Sequence, residues 1–183
     1  MRVILVHGWG GSPQRDWFPW LKKELTRKGF NVLVPHMPKT GEPEMHAWVG
    51  TLMRTVGVPR KDDIFVGHSI GCQTILRYFE TLSKKERVGK VILVAPWMKL
   101  KHMEKEERPI AKPWIETPID WKHVRAQAQS FTCLFSDNDL YVPLSEKKTF
   151  EKKLHAETMV FKKHGHFSAG EGFKRLPVLK KFF

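Results

Sequence analysis

The chain has 183 residues, 41% of them hydrophobic and 11% aromatic, which is the size and make-up of one globular domain over residues 1–183. No stretch approaches the roughly 18 apolar residues of a membrane helix, and Val3 to Val6 is too short for the apolar core of a secretion signal, so no membrane span is expected. Cys72 and Cys133 are the two cysteines, a usage that suits a reduced, cytoplasmic chain better than a disulfide framework. The net charge of +13, from 32 Lys and Arg against 19 Asp and Glu, admits a polyanion partner. The basic doublets Lys22-Lys23, Lys84-Lys85, Lys147-Lys148, Lys152-Lys153 and Lys180-Lys181 fall in helical patterns, however, and form no contiguous stripe. They read as solvated faces, and they argue against nucleic acid as a partner.

Short apolar runs alternate with helical patterns, the signature of a parallel sheet covered by helices. Arg2 to Val6 is predicted as a first strand, followed by the glycine-bearing loop from His7 to Ser12. Trp17, Trp20, Leu21 and Leu25 recur at helical spacing, and Gly29 closes that helix. Asn31 to Val34 is a second strand. A proline-bearing loop leads to a helix near Glu44 to Thr55. Asp62 to Val66 is a third strand and Ile70 to Ser83 the helix after it. Lys90 to Val94 is a fourth strand. From Ala95 to Thr117 the pattern dissolves among Pro96, Pro109 and Pro113, so an irregular surface excursion bordering the active site is expected there. A short helix near Trp121 to Ala128 follows. Ser130 to Phe135 is a fifth strand, Leu144 to His155 a helix and Thr158 to Phe161 a sixth strand. A last helix from Gly172 to Phe182, broken or restarted near Pro177, ends the chain. The fold class is therefore α/β: three layers, about six parallel strands flanked by helices.

Gly67-His68-Ser69-Ile70-Gly71 fits the pattern G-x-S-x-G. Chance places that pattern in roughly one protein in ten to twenty of this length, given Gly and Ser at about 7% each. Its position after a strand and before a helix removes most of those accidents, because a tight turn there exposes the serine oxygen above the sheet. No Gly-Lys-Ser/Thr follows, which excludes a phosphate-binding P-loop. A serine hydroxyl needs a base, and the base an orienting carboxylate. In this arrangement the chain order is Ser, then Asp or Glu, then His. Asp137 and Asp139 follow the fifth strand and His164 and His166 the sixth, all on the sheet edge that carries Ser69. From position alone, both Asp and both His remain open.

An oxyanion needs two N–H donors aimed in advance. The residue after the nucleophile, Ile70, supplies one, and the loop His7-Gly8-Trp9-Gly10-Gly11 the other, at Trp9. If the second strand lies outside the first, the loops of strands one and three flank the point where strand order reverses, the usual ligand site of open α/β sheets. Trp17, Trp97 and Trp114 are candidates for the lining of an apolar pocket, with core packing as the default for Trp17. His7, His36 and His46 lack metal-ligand spacing, so no metal or other cofactor is expected.

These residues resemble the small α/β-hydrolases of the YdeN and retinoblastoma-binding-protein-nine family of serine hydrolases. The resemblance runs over nearly the whole chain. It rests on Val6-His7-Gly8-Trp9-Gly10-Gly11, on Trp17 to Leu25, on His36-Met37-Pro38, on the elbow, on Asp139-Leu140-Tyr141-Val142-Pro143 and on Gly165-His166-Phe167. It implies a compact fold without a large cap domain, Asp139 as the acid and His166 as the base. It also implies carboxylesterase-like or peptidase-like chemistry, and the Ser, His and Asp constellation itself, which thioesterases and lipases share, points to acyl transfer from a small ester or amide. The net charge is not a mark of that family. The alternative is a non-catalytic module on the same fold that binds protein or polyanion.

Overall fold

The apolar runs of the sequence pair as six parallel strands in one sheet. In the computed structural model, which describes residues 1–183, these are β1 (Arg2–Val6), β2 (Asn31–Leu33), β3 (Ile64–His68), β4 (Val88–Val94), β5 (Ala128–Ser136) and β6 (Glu157–Phe161), in the order β2-β1-β3-β4-β5-β6. The helices are α1 (Phe18–Arg27), α2 (Met45–Val56), α3 (Ile70–Glu80), α4 (Glu107–Glu116), α5 (Trp121–Ala126) and α6 (Glu146–Leu154). The step from β1 to β2 goes outward and every later step goes the other way. Right-handed crossovers therefore put α1 on one face and α2, α3, α5 and α6 on the other. The packing follows suit: α3 touches α2 and α5, and α5 touches α6. The C-terminal turn covers the α1 face, where Lys180 pairs with Glu24 at 3.0 Å and the Phe183 ring meets the edge of Phe30.

Strands β1, β3 and β4 are apolar on both faces because helices cover both. Helix α3 is buried from Ile70 to Phe79, since the sheet lies under it and α2 and α5 flank it. A core of 44 buried residues joins the two faces. Cys72 and Cys133 are free, buried thiols. No helix is long and apolar enough to cross a membrane.

Three expectations need correction. The stretch after β4 is not wholly irregular: it holds α4, with Pro113 inside the helix. Pro109 lies in the first turn, where the missing N–H has no intrahelical acceptor to lose. Beyond Pro113 the buried Arg77 donates to the carbonyls of Trp114, Thr117 and Pro118, taking up groups that the helix end leaves unpaired. The chain end is not an α-helix but two short 3-10 turns, Ala169–Glu171 and Pro177–Phe182, separated by Gly172 at φ +96°. Lys84-Lys85 lies in a turn after α3 rather than on a helix, and Lys180-Lys181 lies in the second 3-10 turn.

At the end of the sheet away from the elbow, Arg2 forks onto Asp63, with Nε to Oδ1 at 2.9 Å and Nη2 to Oδ2 at 2.6 Å. It also donates to the carbonyls of Val56 and Val58, so one side chain ties β1 to the end of α2 and the start of β3. Asp63 is fully buried. An Arg2→Leu variant strands that carboxylate and loses about 3 kcal/mol of stability, the usual cost of breaking a buried pair. Urea unfolding of the two proteins checks this, and a loss below about 1 kcal/mol would contradict it.

Candidate active site

The strand-to-helix turn after β3 is built by what its glycines lack. A β-carbon on Gly71 would collide with the carbonyl oxygens of Val6 and His7, and one on Gly67 would lie 2.9 Å from the Cα and N of Cys72. Their absence lets α3 start against β1 and β3. Between them Ser69 takes φ +53°, ψ −121°, a left-handed backbone that only strong packing holds for a residue with a side chain. Its N–H donates to the Val94 carbonyl at 2.9 Å, and its Oγ accepts from the Trp97 indole N–H at 3.4 Å.

The loops after β5 and β6 grip each other residue by residue. Asp137 accepts from the Lys163 N–H, Ser136 from the His164 N–H and Asn138 from the Gly165 N–H. One position further on, Asp139 Oδ2 meets His166 Nδ1 at 2.8 Å. The other oxygen, Oδ1, accepts from the N–H groups of Tyr141 and Val142 at 2.8 and 3.0 Å. Burial pushes the Asp139 carboxyl up, but the hydrogen bond and charge of His166 and the two N–H groups outweigh it and hold the carboxyl below its ordinary value. This ladder separates the paired candidates of the sequence. Asp137 is engaged with backbone, while His164 bonds the Lys162 carbonyl through Nδ1 and stacks on Phe173. Asp139 and His166 face each other.

Ser69 and His166 both line a cleft of about 330 Å³ at this edge. Gly8, Trp9, Gly10 and Gly11 form one wall, so the loop after β1 lies where the strand order predicts. The Trp9 indole donates to the Gly41 carbonyl and the Gly10 N–H to that of Thr40, which fixes the loop. Leu100, Met103 and Glu107 come from the excursion after β4, so it does border the cleft. Two buried side chains hold its start: Gln73 donates to the Trp97 carbonyl, and Glu146 accepts from the N–H groups of Met98 and Lys99.

Of the three tryptophans expected in a pocket, Trp97 lines the cleft. Trp17 and Trp114 do not. Trp17 is buried, stacked on Phe18 at 4.1 Å and edge-on to His68. Trp114 is buried against Trp48 and donates to the Pro43 carbonyl. Both side chains are fully buried in the core cluster, and the core claims them.

Sequence reasoning missed two residues that hold the His166 loop. Glu171 accepts from the N–H of His166 at 2.7 Å and from the Ser168 hydroxyl. Its signal was present as the capping pattern Ser168-Ala169-Gly170-Glu171, which the structure forms. His68, a free position in the elbow pattern, donates from Nε2 to the His166 carbonyl at 2.7 Å. No pattern in the sequence pointed to it.

A single parallel sheet with its elbow after the third strand, and no separate cap, defines the compact α/β-hydrolase fold. The chain is similar over 97% of its length to the YdeN protein of Bacillus subtilis, at 29% identity and covering 92% of that protein. It is also similar to the serine hydrolase RBBP9 of Rattus norvegicus, at 26% identity over 98% of this chain and 94% of that one. The crystal structure of the B. subtilis ydeN gene product superposes with a TM-score of 0.90 at 28% identity, over 99% of this chain and 95% of that one. The serine hydrolase family model matches residues 3–183, and the chain belongs to that family.

The two histidines beneath the site give the fold a pH dependence. Burial, and after it the charge of His166, push His68 down to about 4, and burial lowers His7 as well. An unfolded histidine titrates near 6.5. Between those values the unfolded chain takes up a proton that the folded protein refuses, so stability falls as the pH drops across this window, by up to about 3 kcal/mol from His68. Urea midpoints measured between about pH 7 and pH 4.5 should decline accordingly, and less steeply in His68→Gln. Equal slopes in the two proteins would rule out this origin.

Proposed function

We propose that the chain hydrolyses a small ester or amide by acyl transfer through Ser69, His166 and Asp139. The observation that carries this reading is the 2.8 Å contact of His166 with the buried Asp139, on a cleft that His166 shares with a serine held in a strained elbow. Ser69 Oγ attacks the substrate carbonyl carbon while His166 Nε2 takes its proton. Asp139, below its ordinary carboxylate value, holds the Nδ1–H tautomer and balances the imidazolium that forms. The oxygen of the tetrahedral adduct is bound by the backbone N–H groups of Trp9 and Ile70. The Trp9 N–H has no backbone acceptor, and that of Ile70 heads α3, where first-turn N–H groups lack intrahelical partners. Collapse breaks the bond to the leaving alcohol or amine, which takes the proton from His166. Water then adds to the acyl-enzyme by the same route in reverse, its proton passing to His166 and on to Ser69 Oγ. No cofactor enters any step.

The cleft lies at the small end of ligand pockets, which run from about 300 to 1,000 Å³. Trp97, Leu100 and Met103 supply the apolar wall for the acyl group. The same constellation serves carboxylesterase, thioesterase and peptidase chemistry, and the size of the cleft favours short substrates of any of these kinds. Ser69→Ala should lower turnover of a short-chain nitrophenyl ester by a factor on the order of 10⁴–10⁶. A fluorophosphonate probe should label the parent protein and not the variant. Undiminished turnover by Ser69→Ala would overturn the reading. A parent protein that the probe leaves unlabelled would favour a non-catalytic binding role instead.

A further inference from the structure

Three bonds hold His166 in place, and they do not refer to the same part of the molecule. Glu171 takes its backbone N–H and Asp139 its ring Nδ1. Both belong to the β5 and β6 loops, on the base's own side of the cleft. The carbonyl alone reaches across, to Nε2 of His68 at 2.7 Å. His68 is joined to Ser69 by a peptide bond, so this bond links the two halves of the site across 98 residues of sequence. His166 stands between Gly165 at φ +49° and Phe167 at φ +57°, outside any helix or strand, and the other long-range tie of this loop, from the Ala169 N–H to Asp16 Oδ1 at 2.7 Å, is made three residues further on.

We propose that His68 is a positioning residue, whose Nε2–H fixes the His166 carbonyl and so sets the distance of the His166 imidazole from Ser69. The proposal rests on the reading of His166 as the base. A carbonyl only accepts, so His68 carries its proton on Nε2. The other nitrogen, Nδ1, is buried without a partner, and the site is tight enough that a β-carbon on Gly8 would lie 3.1 Å from it. An orphaned buried nitrogen is a cost to stability that an apolar ring of similar size would not carry. A histidine in this place is explained by what its other nitrogen does. Burial keeps the ring neutral down to about pH 4, so it places no charge against His166, whose ring centre is 5.1 Å away. It has no proton-transfer step of its own.

Two side chains of the same chemistry but different reach separate positioning from packing. In His68→Gln the amide nitrogen falls where Nε2 lies and keeps the bond. In His68→Asn it reaches only the place of Nδ1. His68→Asn should lower kcat about 10- to 100-fold with KM nearly unchanged, the scale of effect expected when a reacting group shifts by about 1 Å, and His68→Gln should recover most of it. The downfield proton resonance of His166 Nδ1–H should move in the Asn variant and stay in the Gln variant. Equal kcat for the two overturns the proposal, as does parent-level kcat for Asn. A measurement without substitution stands beside these: ¹⁵N shifts of the unaltered protein should show His68 protonated on Nε2, and the Nδ1–H tautomer would overturn the proposal. His166→Ala serves as control. Activity surviving in that variant defeats the reading of His166 as base, whereas an inactive His166→Ala beside a fully active His68→Asn defeats only the role given to His68.

Discussion

Helix α3 begins where its first turn touches β1 and β3 together, and at Gly71 that contact leaves no room for a β-carbon. The closeness forces Ser69 into a left-handed backbone that costs on the order of 1–3 kcal/mol. The strain is held by a helix buried along nearly its whole length and by the bond from the Ser69 N–H to Val94. The rest of the site takes its coordinates from this point. Strand β4 supplies the Val94 carbonyl and then Trp97, β1 supplies the glycine loop, and the loops of β5 and β6 close the far side.

Much of this was legible because it follows from short-range chemistry. Strand β1 matches the sequence reading to the residue, since a short apolar run rich in Val and Ile that ends in His7-Gly8 admits little else. The outward place of β2 entered the sequence reading only as a condition, which the strand order meets, because handedness rules set the face each helix covers and not the order of the strands. The excursion after β4 was harder. Pro109 and Pro113 signal a break when only local rules are consulted, yet α4 forms because Arg77, some forty residues earlier, captures the carbonyls at its end. A long-range partner has no local signature. Trp17 and Trp114 failed for a related reason. Nearness in sequence to the site loops says nothing about which way a ring turns, and both rings turn into the core.

The choice among two aspartates and two histidines illustrates the opposite case. Positions 136–139 and 163–166 were both visible as loops, but their register was not. The ladder of side-chain-to-backbone bonds fixes it, and it leaves Asp139 as the carboxylate that faces an imidazole. Neutral histidines beneath the site extend the pattern. His7 donates to the Gly8 carbonyl and accepts from the Met37 N–H, so it too serves as a rigid, uncharged spacer between loops.

The side-chain anchors of the excursion between β4 and α5 lie at its two ends, with one backbone bond between them, from the Lys101 N–H to the Tyr141 carbonyl at 2.8 Å. Glu146 and Gln73 hold its start and Arg77 its finish, all from buried positions in the main body of the fold. Leu100, Met103 and Glu107, which reach the cleft, lie between those anchors and take no part in them. Lining the cleft and anchoring the segment thus fall to different side chains. A library that varies these three positions while leaving Gln73, Arg77 and Glu146 untouched reshapes the cleft wall and keeps every buried side-chain anchor, giving up only the packing of Leu100 on the core and the bond of Glu107 to the Glu104 N–H.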